Sequence, residues 1–195
     1  MKLLGVLPFA RSLLTAAAGP GDTVVDATAG NGHDTLFLAD LVGHTGTVIS
    51  CDIQEKAIKA TQNRLNEAGH VSNIHLHQLG HERLTEITRF NESTIAAAIF
   101  NLGYLPKGDK NVTTKGGTTI AAIKQLFAQL KPEGLIVLVI YHGHPEGKLE
   151  KDDVLSFIQS LPQEEAHVAT YGFINQRNDP PFVAAIEKRL VKGRA

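Results

Sequence analysis

The sequence predicts an α/β fold: one mostly parallel sheet with helices on both faces and an antiparallel hairpin at its C-terminal end. Three observations carry this. Short apolar runs alternate with amphipathic ones along the whole chain, the pattern of repeated strand–helix units. Two of the runs, Ile95 to Phe100 and Leu135 to Tyr141, are apolar throughout, as strands covered on both faces must be. The last two strand-like segments have no helix between them, so they pair antiparallel.

Each element follows in order. A helix is expected from about Phe9 to Ala18, stopped by Gly19-Pro20-Gly21. Strands are expected at Thr23 to Ala27, Thr47 to Asp52, Ile74 to Leu79, Ile95 to Phe100 and Leu135 to Tyr141, with the final pair at His167 to Phe173 and Phe182 to Glu187. Between them lie helices at Asp34 to Leu41, Gln54 to Ala68, Arg83 to Phe90, Thr119 to Leu130 and Asp152 to Leu161. The helix from Gln54 carries Ala57, Ile58, Thr61 and Leu65 on one face. Lys131-Pro132-Glu133-Gly134 reads as a turn.

With 195 residues and 43% of them hydrophobic, the chain suits one domain spanning 1–195. A formal net charge of −1 excludes a protein that coats nucleic acid through its overall charge, though not a local basic patch. The single cysteine, Cys51, excludes an intrachain disulfide and any cysteine-based zinc site, and no metal is expected. Lys2, the apolar stretch to Leu7 and Ala16-Ala17-Ala18 resemble a signal peptide, but Pro8 and Arg11 interrupt the stretch. The reading is a structural helix, no membrane span and a cytoplasmic protein.

The first strand runs into Asp26-Ala27-Thr28-Ala29-Gly30-Asn31-Gly32-His33-Asp34. Gly30 and Gly32 allow backbone N–H groups to approach a ligand, and the next helix points its positive end at the same place. Asp52 closes the second strand, 22 residues after Gly30 (52 − 30), where a carboxylate can accept from both ribose hydroxyls of an adenosine. Dinucleotide enzymes and methyltransferases share this pairing. Position 35 is Thr where the dinucleotide pattern has its third glycine, and Asp26 suits an ammonium better than a pyrophosphate. Both details favour a methionine-bearing cofactor.

These residues resemble motif I of class I S-adenosylmethionine-dependent methyltransferases, with Asp52 as the motif II acid. Gly80-His81 falls where that family contacts adenine, and Asn101-Leu102-Gly103-Tyr104 falls at its catalytic motif IV. The resemblance implies a Rossmann-like, seven-stranded class I methyltransferase sheet. It implies cofactor contacts from Asp26, Ala27, Gly30, Asn31, Gly32, Asp34 and Thr35, and from Asp52, Ile53, Gly80, His81 and Asn101. The run from Asn101 to Lys110 further resembles small bacterial proteins long labelled rRNA methylases. That family is understood to methylate the aminomethyl group of 5-aminomethyl-2-thiouridine at the tRNA wobble position. It implies S-adenosylmethionine (SAM) as cofactor and RNA as partner, most simply the tRNA anticodon region. With no separate RNA-binding module in the sequence, a homodimer is one way to present two basic faces to the RNA.

The chemistry of the residues agrees with amine transfer. The Asn101 amide oxygen can accept an amine N–H and aim the nitrogen lone pair, whereas a carboxylate there would favour the unreactive ammonium. Tyr104 can stack on a base. Leu102-Gly103 replaces the two prolines that amine-directed relatives often carry. Methylation at pyrimidine C5 is disfavoured, since it needs a cysteine nucleophile and Cys51 lies beside the expected ribose site. Leu102, Gly103, Lys107, Lys110, His142 and His144 are expected at the RNA side, with either histidine able to assist proton removal. Lys115 extends the cationic stretch, and the charges near the C-terminus are expected to be mostly solvated. A small-molecule or rRNA methyltransferase, a nicotinamide-dependent oxidoreductase and a non-catalytic binding module are the alternatives.

Overall fold

Seven strands form one sheet in the order β3-β2-β1-β4-β5-β7-β6. The strands are β1 (Thr23–Asp26), β2 (Thr47–Asp52), β3 (Ile74–Gln78), β4 (Ile95–Leu102), β5 (Leu130–Ile140), β6 (Ala166–Tyr171) and β7 (Phe182–Lys188). The first five pair in parallel, and β7 pairs antiparallel with β5 and β6. The computed structural model describes residues 2–70, 72–103 and 113–190.

Alternation along the central strands sends side chains into two cores. Val24, Val48, Ile99 and Val137 face α1 (Val6–Ala17) and α2 (His33–Val42). Val25, Ile49, Phe100 and Leu138 face α5 (Gly116–Gln129) and α6 (Pro145–Gln159). Continuous apolar strands were expected for this reason. On α1, Ala10 and Leu14 are fully buried one turn apart, so the N-terminal segment is a packed helix over the sheet. No helix among the described residues is long and apolar enough to cross a membrane.

Several boundaries differ from the sequence expectation, each for a local reason. α1 starts at Val6, because Pro8 falls in the first turn, where a missing N–H interrupts nothing. α6 starts at Pro145, seven residues before the expected Asp152, again with proline at the first helical position. α5 starts at Gly116, whose lack of a side chain lets it pack on Asp153: a Cβ there would lie 2.5 Å from Asp153 Oδ2. Leu130 already pairs with Ile95, and the expected turn at 131–134 is an excursion inside β5 before Leu135 pairs with Ala97. Glu133 at φ 63 makes that excursion. The segment after β3 is a 3-10 turn, His81–Glu86, followed by the short α4 (Thr88–Asn91). The remaining helix, α3 (Glu55–Glu67), buries Ala57, Thr61 and Leu65.

Lys188 is an exception among the C-terminal charges, which were expected to be mostly solvated. Its ammonium donates to the carbonyls of Phe127 (2.9 Å) and Leu130 (2.8 Å), satisfying the open end of α5. Lys192 and Arg194 lie outside the described residues.

Chain order reverses in the sheet between β1 and β4, so a crevice opens outside their carboxyl ends. β4 runs to Leu102, two residues past the expectation, and places Asn101 on a strand rather than a loop. The Asn101 N–H donates to Thr28 Oγ1 at 2.7 Å, tying this strand end to the glycine-rich loop.

Candidate active site

Two clefts open at that switch point. The smaller, about 290 Å³, is lined by Asp52, Ile53, Gly80, His81 and Lys115 among others. The larger, about 1170 Å³, is lined by Arg11, Asn31, Asp34, Tyr141, His142 and His144 among others. Thr28, Gly30 and Asn101 border both. A ligand lying across the loop therefore passes Asn101 on its way from one cleft to the other.

Asp52 grips the loop, accepting from the Gly30 N–H at 3.0 Å and from the Gln54 N–H at 2.9 Å. Each carboxylate oxygen has a further lone pair for a hydroxyl. Beside it Ile53 is 53% exposed, an apolar face of the kind an adenine ring covers. His81 is buried across the cleft, with Nδ1 3.3 Å from the Ala27 carbonyl and its ring edge-on to Phe100. Since a carbonyl only accepts, Nδ1 carries the proton. Burial lowers the His81 pKa, so the ring is a neutral wall.

Three expected cofactor contacts take other roles. Asp26 is wholly buried and lines neither cleft. As the last residue of the central strand it turns under the loop: Oδ1 accepts the Thr28 N–H at 3.1 Å and Oδ2 the Thr35 hydroxyl at 2.6 Å. Thr35 is buried with it and also meets Ser50 at 3.0 Å. Gly32, at φ 77, serves packing rather than ligand approach, since a Cβ there would stand 2.8 Å from Thr61 Cα on α3. Gly30, at φ 54, borders both clefts, with its N–H given to Asp52.

Burial, then the nearby Asp34 charge, raises the Asp26 pKa from 3.8 to about 7. The sign of the consequence is unusual for a carboxylate. Between these values the native state holds a proton that the unfolded state has released, so stability falls as pH rises from about 4 to about 7, by of order 4 kcal/mol, and is flat above. Asp26→Asn removes this loss. Urea denaturation at pH 5 and pH 8 should show the variant gaining on the wild type at pH 8; an equal gap at both pH values would refute the assignment.

Asp34 opens α2 and links three elements. Its Oδ1 accepts from Arg11 Nε at 3.0 Å and Nη2 at 2.8 Å, and its Oδ2 accepts from Asn101 Nδ2 at 2.8 Å. Leu102 buries its side chain in the core on the α5 and α6 side and also borders the larger cleft. Gly103 has both backbone groups taken by Thr114: its N–H donates to Thr114 Oγ1 at 2.9 Å and its carbonyl accepts the Thr114 N–H at 3.1 Å. Thr114 in turn donates to Glu150, as does Thr119 at 2.7 Å. Burial pushes the Glu150 carboxyl above its usual range, against the pull of those hydroxyls. Tyr104, Lys107 and Lys110 lie outside the described residues.

In the larger cleft the His142 ring meets Phe182 edge-on at 5.4 Å, and His144 lies on Gly147, where a Cβ would fall 2.6 Å from its Cε1. Tyr141, 38% exposed at the end of β5, adds an aromatic face. Burial, then Asp34, raises its pKa, so its hydroxyl stays a donor. Cys51 is buried with its thiol on the Ala27 carbonyl at 3.6 Å, and burial pushes its pKa well up, which removes it as a nucleophile. Among the described residues, no group of three or more His, Cys, Asp or Glu side chains could hold a metal.

Sequence reasoning missed Arg11, Tyr141, Thr114 and Glu150. Tyr141 was recoverable, as the residue between a buried strand and His142-Gly143-His144. Glu150 was not: its partners lie 36 and 31 residues away.

Comparison with known proteins gives a consistent neighbourhood. A family model described as "Putative rRNA methylase" matches residues 48–187. A chloroplastic tRNA (mnm(5)s(2)U34)-methyltransferase of Arabidopsis thaliana is 39% identical over 171 residues, covering 84% of this chain and 62% of that protein. A ubiquinone/menaquinone biosynthesis C-methyltransferase of Shewanella pealeana is 31% identical over 146 residues, covering 73% of this chain and 52% of that protein. The chain thus spans less than two thirds of the length of these curated relatives. Among solved structures, a Clostridium thermocellum protein described as a "putative rRNA-methylase" superposes with a TM-score of 0.93 at 39% identity, covering 96% of this chain and 100% of that one. A Streptococcus mutans methyltransferase homologue in complex with SAH superposes at 0.85 with 35% identity, covering 95% and 99%.

Proposed function

The chain belongs to the rRNA methylase family, and we propose that it is an SAM-dependent N-methyltransferase acting on the aminomethyl group of 5-aminomethyl-2-thiouridine at the tRNA wobble position. The observation that carries the reaction type is Asn101 at the junction of the two clefts, with Nδ2 held by Asp34. A carboxylate only accepts, so the amide nitrogen faces Asp34 and Oδ1 is left for the acceptor amine. The substrate rests on the Arabidopsis relative's activity and on the chemistry of this junction.

When bound, SAM would supply a sulfonium methyl: the amine lone pair bonds to that carbon in line as the C–S bond breaks and S-adenosylhomocysteine leaves. The residues present fit it. Asp52 would accept the ribose hydroxyls, Ile53 and His81 would flank the adenine, and Gly30 and Asn31 would meet the methionine end, since these residues line the two clefts. The acceptor enters through the larger cleft, where Tyr141 offers a stacking face to an extruded base. Asn101 Oδ1 takes one amine N–H and points the lone pair at the methyl, a positioning effect. The second amine proton leaves toward His142 and His144, which line the same cleft.

Asp52→Ala removes the ribose acceptor and the anchor of the Gly30 N–H. Two charge-assisted hydrogen bonds are at stake, so the SAM Kd should weaken at least about 30-fold by calorimetry. Unchanged affinity would move the adenosine elsewhere. A second reading, transfer to a small metabolite, is favoured by the similarity to the Shewanella enzyme. Labelled SAM with bulk undermodified tRNA, beside a quinone precursor, separates the two. Label in the precursor and none in tRNA would overturn the RNA reading.

A further inference from the structure

We infer that Arg11 on α1 is a positioning residue for methyl transfer, acting through Asp34 on the orientation of Asn101. This rests on the proposed role of Asn101 as the group that receives the amine. Arg11 and Asp34 join α1 to the opening of α2, and Asp34 carries the link to the end of β4.

The guanidinium is fixed from several sides. Nε and Nη2 both bind Asp34 Oδ1, Nη2 reaches the His33 carbonyl at 3.4 Å, and Cζ lies 5.1 Å over the Phe37 ring. The Asp34 side chain is 11% exposed, so its torsion is set by these partners rather than by water. Its other oxygen holds Asn101 Nδ2. One cation therefore holds in place the carboxylate that positions the Asn101 amide at the cleft junction.

The same cation protects the reaction chemically. Asp34 lines the cleft that receives an amine, and an amine in water is mostly ammonium. A carboxylate without its own cation would pair with that ammonium and hold it protonated, with no lone pair to react. Arg11 occupies Asp34, so Asn101 rather than Asp34 meets the amine. Loss of Arg11 should slow turnover without weakening substrate binding, and could tighten it. A residue that only grips RNA phosphate would do the opposite.

Arg11 is part-exposed, and α1 packs through Ala10 and Leu14, so Arg11→Ala should fold. We expect kcat to fall about 20-fold, with the KM for tRNA unchanged or lower. In an Asn101→Ala background, adding Arg11→Ala should change kcat by less than about twofold, since residues acting through one group are not additive. Guanidinium ion added to Arg11→Ala should restore part of kcat. Arg11→Lys, which keeps charge but not the fork, should lie between the wild type and Arg11→Ala and serves if the alanine variant unfolds.

A raised KM at constant kcat with a shallower salt dependence would overturn the inference in favour of phosphate binding. So would full additivity in the double variant. If Asn101→Ala alone turned over like the wild type, the role of Asn101 would fail and this inference with it. If Asn101→Ala is impaired and the cycle is additive, only the role of Arg11 fails.

Discussion

Asn101→Ala should lower kcat about 100-fold while leaving the SAM Kd within about threefold. The size follows from removing one preorganised hydrogen bond at the reacting centre, worth about 2.7–4 kcal/mol in comparable sites, tempered here because an amine can still be aligned by the cleft walls. Affinity should hold because the adenosine side is built by Asp52, Ile53 and His81. Asn101→Asp is the sharper companion. It sets a second carboxylate where the amide now sits 2.8 Å from Asp34, and it stabilises the ammonium form of the acceptor. Its activity should be lost near neutral pH and partly recovered at alkaline pH, because only there does the acceptor shed its proton. A single-turnover pH profile of both variants checks this; an Asn101→Asp profile like that of the wild type would remove the amide from the mechanism.

Gly32→Ala should destabilise the protein by about 3 kcal/mol and abolish measurable cofactor binding. Two costs combine: a left-handed φ of 77 costs a non-glycine residue about 1 kcal/mol, and a Cβ 2.8 Å from Thr61 Cα adds roughly 1–3 kcal/mol of overpacking. The overlapping atom is backbone, so α3 itself must shift. Thr61 also donates to the Gly30 carbonyl at 3.3 Å, so moving α3 pulls the cofactor loop with it. Gly69, just past the end of α3, is the control: it has φ 79 but nothing within 4 Å of a Cβ, and Gly69→Ala should cost only about 1 kcal/mol. Equal losses at the two glycines, read by chemical denaturation, would show that the contact with α3 contributes nothing.

The sheet was legible because its signal is local. Continuous apolar runs marked β4 and β5, and the missing helix between the last strands marked the hairpin. Helix starts were less legible where glycine or proline opened them: α5 begins on Gly116, which packs against Asp153, and α6 on Pro145, a breaker inside helices but suited to their first position. The site shows the same division. Asp52 and Gly30 were readable because their place follows from chain order alone. Asp26 was misplaced, because the sequence shows that it ends a strand but not that the loop folds over it. Arg11 looked like an interruption in an apolar stretch. Its meaning comes from Asp34, 23 residues away, and through it from Asn101.

In the proposed reaction Asn101 presents a wobble aminomethyl group to a methyl donor. The direct measurement incubates the purified protein with SAM and tRNA carrying 5-aminomethyl-2-thiouridine, then analyses the digested nucleosides by mass spectrometry. This nucleoside should gain one methyl group on its side-chain nitrogen, and Asn101→Ala should leave it almost wholly unconverted over the same time. An unchanged wobble nucleoside, with the methyl group on another nucleotide or on no RNA at all, would contradict the proposed reaction.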